Sequence, residues 1–421
     1  MRIAIIDHLA SGHHLVHVRH IVAEAASRQW EVDFLTTPNV VEAQYLAEHS
    51  ATFLKATIHA VAPGPFVGSN GVVNVARAAA TTWIWWKTLY WSHLRCIQPD
   101  FIYVVNLDYS DKLLAVIGSP FGHLLFGGML MGVTFHHKDL GIAAADSRRQ
   151  SAKRSIFQRL LRISTLKALL VIDELLPDYT ESRQTDGREV IRYVPDIGGL
   201  APLENLRDNR SHLGLRSSDC VLLVYGALAR GKGLDVALRA VADGRCPSHV
   251  SLLVVGVQDN WARQIMASGP ARQLRTHSRL VEVPRFVTEE EESECFHSAD
   301  VVWVGYQGFG GSSGVLLQAA MAGRPVLACN EGLIGWRTIT HKLGVVADIG
   351  NPENVISALR LLVEDVQARA TFGANGSTYA RRHTAKEFAR NVCEAISAAV
   401  QQPVTAPQAP SSILWGRRSR G

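Results

Sequence analysis

The chain has 421 residues, 47% of them hydrophobic and 19% charged, with a formal net charge of +5. That length exceeds one ordinary core and argues for two domains, and the composition excludes wholesale disorder. A mild excess of positive charge does not by itself argue for nucleic acid, and no nucleic-acid partner is expected.

Ile3–Ile6 is a short, wholly apolar run, as a strand buried on both faces of a parallel sheet should be. The loop Asp7–His14 leads into a helix over Leu15–Ala26, and Val32–Leu35 reads as the next strand. Further strands are expected at Phe53–Ala56, Phe101–Val105, Met131–Phe135 and Ala168–Ile172, with helical segments between them. Leu113–Phe135 contains no Asp, Glu, Lys or Arg, yet Ser119-Pro120, His123 and five glycines break any continuous membrane-spanning helix. Val194–Ser218, with Pro195, Gly198, Gly199 and Pro202, reads as a connection.

Beyond it, strands are expected at Val221–Tyr225, Ser251–Val255, Leu280–Val283, Val301–Val304, Val326–Ala328 and Val345–Val346. Helices are expected at Leu234–Ala242, Asp259–Ala267, Glu289–Ser298 and Pro352–Glu364. The fold class is therefore α/β, with two doubly wound Rossmann-like domains facing each other across a cleft. The boundaries read as 1–198 and 199–380, a helix at 381–400 returning to the first domain, and a disordered tail at 401–421 rich in Pro, Ser and Arg.

Six cysteines (Cys96, Cys220, Cys246, Cys295, Cys329, Cys393) form no C-x-x-C pair, and free thiols in a reducing compartment are expected. The start, MRIAIIDH, turns polar too soon for a signal peptide. A cytoplasmic location follows as the expectation, with a peripheral position on the inner face of a membrane as an addition to it.

The most informative stretch is Ser298–Val326, SADVVWVGYQGFGGSSGVLLQAAMAGRPV. A strand is followed by the loop Gly308–Gly314 and then by a helix from about Ser313 to Ala322. Such a loop sets bare backbone N–H groups at the positive end of a helix, which suits a phosphate or diphosphate. The alternative is an ordinary glycine turn in which Ser312 or Ser313 caps the helix. A second turn, Tyr225–Asp235 (YGALARGKGLD), also follows a strand and opens a helix. Gly226-x4-Gly231-Lys232 falls short of a P-loop, because Gly233 stands where a magnesium-binding hydroxyl is needed. Arg230 and Lys232 remain as two cations able to stabilise a departing diphosphate, or as solvated surface charges.

Together these motifs resemble the C-terminal donor domain of GT-B glycosyltransferases: strand–G-x5-K-G–helix, VVG at Val254–Gly256, then GFG and SSGVLLQAAMAGRPV. The likeness is to the large retaining group that includes the mannosyltransferases of phosphatidylinositol mannoside synthesis and sucrose synthase. It covers Met1 to Val400 and is stronger in the second half.

The resemblance implies a donor site at Gly12, Gly226, Gly310, Gly311, Ser312, Ser313, Gly314 and Gln318. It also implies an acceptor side at His13, His14 and His137, and catalytic roles for His136, Arg230 and Lys232. His136 takes its place from the Thr134-Phe135-His136 context. The family carries two glutamates eight positions apart. Gly310 replaces the first, near the donor sugar, and Gln318 replaces the second, which binds the ribose hydroxyls. The implied reaction is metal-independent transfer, with retention, from a nucleotide-diphosphate sugar, and no cofactor or metal is expected.

Two features of the first half bear on the acceptor. Arg148–Lys167 has seven basic and no acidic residues, with Ile156, Phe157, Leu160, Leu161 and Ile163 at helical spacing. It reads either as a helix on an anionic membrane or as a surface helix packed on its own sheet. Trp83, Trp85, Trp86, Tyr90 and Trp91 suit a membrane interface, an acceptor groove or plain core packing. The expected function is a retaining glycosyltransferase acting on a saccharide, lipid-linked or small-molecule acceptor in glycoconjugate synthesis. The alternatives are a degenerate, noncatalytic GT-B subunit, motivated by Gly310, and a sugar-nucleotide 2-epimerase.

Overall fold

Strands buried on both faces must be apolar throughout, and the short runs of Val, Ile and Leu assemble into two parallel sheets. A computed structural model of the chain describes residues 1–9, 14–62, 64–65, 75–142, 147–201 and 209–401. The first sheet contains β1 (Arg2–Ile6), β2 (Glu31–Thr36), β3 (Thr57–Ala60), β4 (Phe101–Val104), β5 (Phe126–Met129), β6 (Leu166–Val171) and β7 (Ile191–Tyr193). The second contains β8 (Cys220–Tyr225), β9 (Val250–Val255), β10 (Leu280–Val283), β11 (Val301–Val304), β12 (Val326–Cys329) and β13 (Gly344–Ala347).

The strand orders are β3-β2-β1-β4-β5-β6-β7 and β10-β9-β8-β11-β12-β13. In each sheet the order reverses beside the first strand, between β1 and β4 and between β8 and β11. Loops leaving the carboxyl ends of those strands flank a natural ligand crevice.

The chain crosses between the domains twice. After β7 it runs through Val194 and Ile197, both buried. It returns as the helix Ala385–Gln401, whose Phe388, Val392, Cys393 and Ile396 are fully buried with Ile3, Ile5 and Phe34 of the first domain. Each such side chain contributes about 1.5–3 kcal/mol of burial, so this helix is part of the first domain's core. The two crossings are laced together: Gly198 N–H donates to His383 O at 3.0 Å, and His383 Nδ1 lies 3.2 Å from Asp196 O. Burial lowers the His383 pKa to about 4, so its ring is neutral near pH 7.

The first half departs from expectation at three places. Phe53 ends a helical turn, Ser50–Phe53, and the strand comes after it as β3. That strand, TIHA, is partly exposed at the sheet edge and carries no apolar run to announce it. The expected strand at Met131–Phe135 is a loop, and β5 lies earlier, at FGGM. A Cβ on Gly127 would come within 2.2 Å of Ala168 O, and one on Gly128 within 2.3 Å of Val104 O. The strand is thus glycine-rich because its neighbours press against it, and glycine hides it from a propensity reading. β7 gave no usable signal, being three residues long.

Among the described residues no helix is long and apolar enough to cross a membrane. Leu113–Phe135 resolves into the end of a helix (Asp111–Ile117), a turn and β5. All six cysteines are unpaired. The basic segment forms the helix Ser147–Leu161, and its Phe157, Leu160 and Leu161 are buried in its own domain.

Candidate functional site

The glycine loop follows β11, and Ser313 caps the helix Gly314–Met321, accepting from Leu316 N. Among the described residues no acceptor is matched to the N–H groups of Gly310, Gly311, Ser312, Ser313 or Gly314. Five donors thus stand at the start of a helix, where a positive dipole end suits an oxyanion.

The second turn is fastened to this loop. Gly226 leaves β8 at φ +110°, Arg230–Lys232 form one 3-10 turn, and Gly233 adopts φ +67° before the helix Leu234–Ala242. A Cβ at Gly233 would lie 2.3 Å from Gly305 O, so glycine is required for the approach. Trp303 Nε1 donates to Lys232 O at 2.9 Å and Gln307 N to Gly231 O at 2.9 Å. Lys232 Nζ sits 3.9 Å from the centre of the Tyr306 ring, and the Tyr306 hydroxyl accepts from Ser313. Lys232 is thus held beside the amide cluster, whereas Arg230 is exposed and forms no ion pair among the described residues.

The first domain meets the loop at Thr134–His137. A Cβ placed on Gly310 would lie 3.2 Å from Thr134 Cγ2 and 3.5 Å from His137 Nδ1. His136 and His137 are both buried, and their Nε2 atoms lie 2.9 and 2.7 Å from Asp173 Oδ2. Burial would raise the Asp173 carboxyl, but the two imidazoles outweigh it and hold the group well below the usual range. An ionised carboxylate only accepts, so each Nε2 carries a proton, and in a neutral ring Nδ1 is then the acceptor. Neither Nδ1 has a partner among the described residues. Burial lowers the His136 pKa more than Asp173 raises it, favouring the neutral ring. His136 packs behind, against Tyr179, so His137 is the imidazole that faces Gly310.

These three residues are also the grouping, among those described, whose ligand atoms approach closely enough for a metal ion. The two hydrogen bonds to one Asp173 oxygen account for that closeness without an ion.

His14 begins the helix His14–Ser27, and its Nδ1 lies 3.0 Å from Asp7 Oδ2 at the end of β1. Gly12 and His13 lie outside the described residues. Gln318 faces the helix Glu289–Ser298, where its amide donates to Glu292.

Sequence reading missed the contact that sets the spacing of the two domains. Arg337, on the helix Gly332–Thr340, is 1% exposed. It donates to Glu174 Oε2 at 2.6 Å, to Ile172 O at 2.7 Å and to Ser312 Oγ at 2.6 Å. Ser312 in turn donates to Asp196 Oδ2 at 2.7 Å. The Ser312 hydroxyl is therefore committed to the domain contact. Gly332 N donates to Ile142 O and Leu333 N to Gly310 O, so the same helix start holds the glycine loop.

Two parallel doubly wound domains that meet at the carboxyl ends of their strands define the GT-B class. The structure is similar to sucrose-phosphate synthase from Thermosynechococcus elongatus, with TM-score 0.70 and 17% identity over 94% of this chain and 98% of that one. It is also similar to HepE from Anabaena, solved in complex with UDP-glucose, with TM-score 0.62 and 16% identity over 94% and 100%. In sequence, residues 219–365 match the profile of the family described as glycosyl transferases group 1, so the second domain is a group 1 glycosyltransferase domain. A D-inositol 3-phosphate glycosyltransferase from Paenarthrobacter aurescens is 29% identical over 182 residues, a match spanning 41% of this chain and 43% of that protein.

Removing one partner of a buried pair leaves an uncompensated charge. Replacing Arg337 by Leu is expected to destabilise the chain by about 3–5 kcal/mol in urea unfolding. A variant as stable as the original would show that the guanidinium does not join the domains.

Proposed function

We propose that the chain is a glycosyltransferase that moves a sugar from a nucleotide-diphosphate sugar to a hydroxyl of a saccharide, lipid-linked or small-molecule acceptor. The observation that carries this reading is the fastening of the Lys232 turn to Trp303, Tyr306 and Gln307, at the root of the loop that carries the amides of Gly310–Gly314. Five neutral donors and one fixed cation suit the negative charge of a leaving diphosphate, and stabilisation of that charge is the main demand of the reaction. The sugar would then lie toward His137, whose Nδ1 can accept from a hydroxyl.

Retention and independence from metal rest on the family resemblance. The leaving phosphate itself takes the acceptor proton as the new glycosidic bond forms on the face from which the diphosphate departs. Arg230, at the rim, and Gly226, at the turn, complete the diphosphate side. UDP-glucose is the first donor to try, because HepE was solved with it. D-inositol 3-phosphate is a reasonable first acceptor, given the names of the sequence relatives. A noncatalytic GT-B subunit is the second reading, and Gly310, which brings no carboxylate to the sugar, is the observation that favours it.

Nucleotide release from a panel of UDP-, GDP- and ADP-sugars, with and without acceptors, separates these readings. The proposal expects release from one donor, accelerated by an acceptor, and a loss of about tenfold or more on replacing Lys232 by Ala. Binding of nucleotide with no turnover on any donor would favour the noncatalytic subunit.

We further propose that a lipid surface is met by the aromatic flank, not by the apolar side of the basic helix. Ile84 is 60% exposed, Trp91 57%, Val116 71% and Ile117 57%, and Lys87 and Arg95 lie over the Trp91 ring. Exposed apolar groups bordered by cations suit the headgroup region of an anionic bilayer. Sedimentation with phosphatidylglycerol vesicles should show binding that weakens with salt and is lost when Trp91 and Ile84 are both replaced by Ser. Absence of binding at low salt would remove this contact.

A further inference from the structure

One carboxylate at the carboxyl end of β8 has no role in the account above. The helix Glu289–Ser298 opens with four glutamates. Glu289 and Glu290 are exposed, and Glu291 closes the capping box with Thr288 and pairs with Arg285. Glu292 turns inward. Its Oε1 accepts from the Gln318 amide, and its carboxylate is hydrogen-bonded to the Tyr225 hydroxyl at the last residue of β8. Burial first, and Glu292 second, push the Tyr225 phenol upward, so it remains a donor.

A glutamine amide has two unlike ends, and an ionised carboxylate accepts but cannot donate. Glu292 therefore fixes the NH2 end of Gln318 toward itself and turns the carbonyl oxygen the other way. Gln318 lies one turn into the helix that follows the glycine loop, half-buried, on the side where β8 ends. A second carboxylate at position 318 would stand in direct contact with the first, and two such groups cannot both ionise.

We propose that Glu292 is a positioning residue for the nucleotide: it holds Gln318 Oε1 outward as the acceptor for a ribose hydroxyl and supplies the negative charge of that subsite. The proposal rests on the nucleotide-sugar reading above. It extends that reading by adding Glu292, from a second helix, behind the position that the family resemblance gives to the ribose.

The test is a swap of acid and amide. UDP and GDP binding is measured by calorimetry between pH 6 and 8.5 for the unaltered chain, Q318E, E292Q and the double variant E292Q/Q318E, with melting curves for each. The unaltered chain should bind one nucleotide with little dependence on pH. Q318E should lose about tenfold at pH 8 and recover toward pH 6, where one shared proton restores a donor–acceptor pair. E292Q should bind several-fold more weakly at every pH, because nothing fixes the amide. The double variant, with acid and amide exchanged, should return to within about threefold of the original, flat across pH. Should Q318E melt early at pH 8, E292Q and the double variant still decide the matter. Equal affinity in all four chains, or a double variant weaker than both single ones, overturns the assignment of Glu292 alone. An unaltered chain that binds neither nucleotide overturns the nucleotide-sugar reading and this assignment with it.

Discussion

A fully buried guanidinium joins the two halves of this molecule, and the site takes its geometry from that contact. Arg337 reaches across to Glu174 and Ile172 of the first domain while holding Ser312 of the glycine loop. Ser312 is tied in turn to Asp196 on the connecting strand. A charge so deeply buried is tolerated only when every neighbour is placed to meet it, so the pair specifies one relative position of the domains more strongly than it stabilises them. Because the same contact includes a residue of the glycine loop, domain spacing and the position of that loop are set together.

Within that frame the chemistry is carried by few charges. The loop offers amides, Lys232 offers one cation held over Tyr306, and the first domain offers an imidazole pair fixed by Asp173. Gly310 brings no side chain, and its narrowness lets Thr134 and His137 come within van der Waals reach of the loop. A carboxylate in the second domain stands instead at Glu292, on a different helix from Gln318. Under the proposed function a dianionic leaving group would be met mainly by oriented dipoles, which need no rearrangement as charge develops.

Much of this was legible in the sequence where the signal is local. The six strands of the second sheet each coincide with an apolar run bounded by turn residues, and the glycine loop and capping Ser313 belong to one contiguous segment. The first half was harder to read because close packing overrides propensity there: β5 is built on Gly127 and Gly128, which only its neighbours explain. Arg337 and Glu174 lie 163 positions apart, His137 and Asp173 36, and Gln318 and Glu292 26. No periodicity links such pairs: the resemblance points to His137 and Gln318 but to neither partner, and Arg337 and Glu174 look like ordinary surface charges until the fold joins them.

The central claim is that the amides of Gly310–Gly314 and the Lys232 turn grip a diphosphate. Hydrogen–deuterium exchange of the full chain, with and without saturating nucleoside diphosphate, tests it most directly. The account predicts slowed exchange in peptides covering 308–316 and 226–234 together. A nucleotide that binds while both segments exchange unchanged would contradict it.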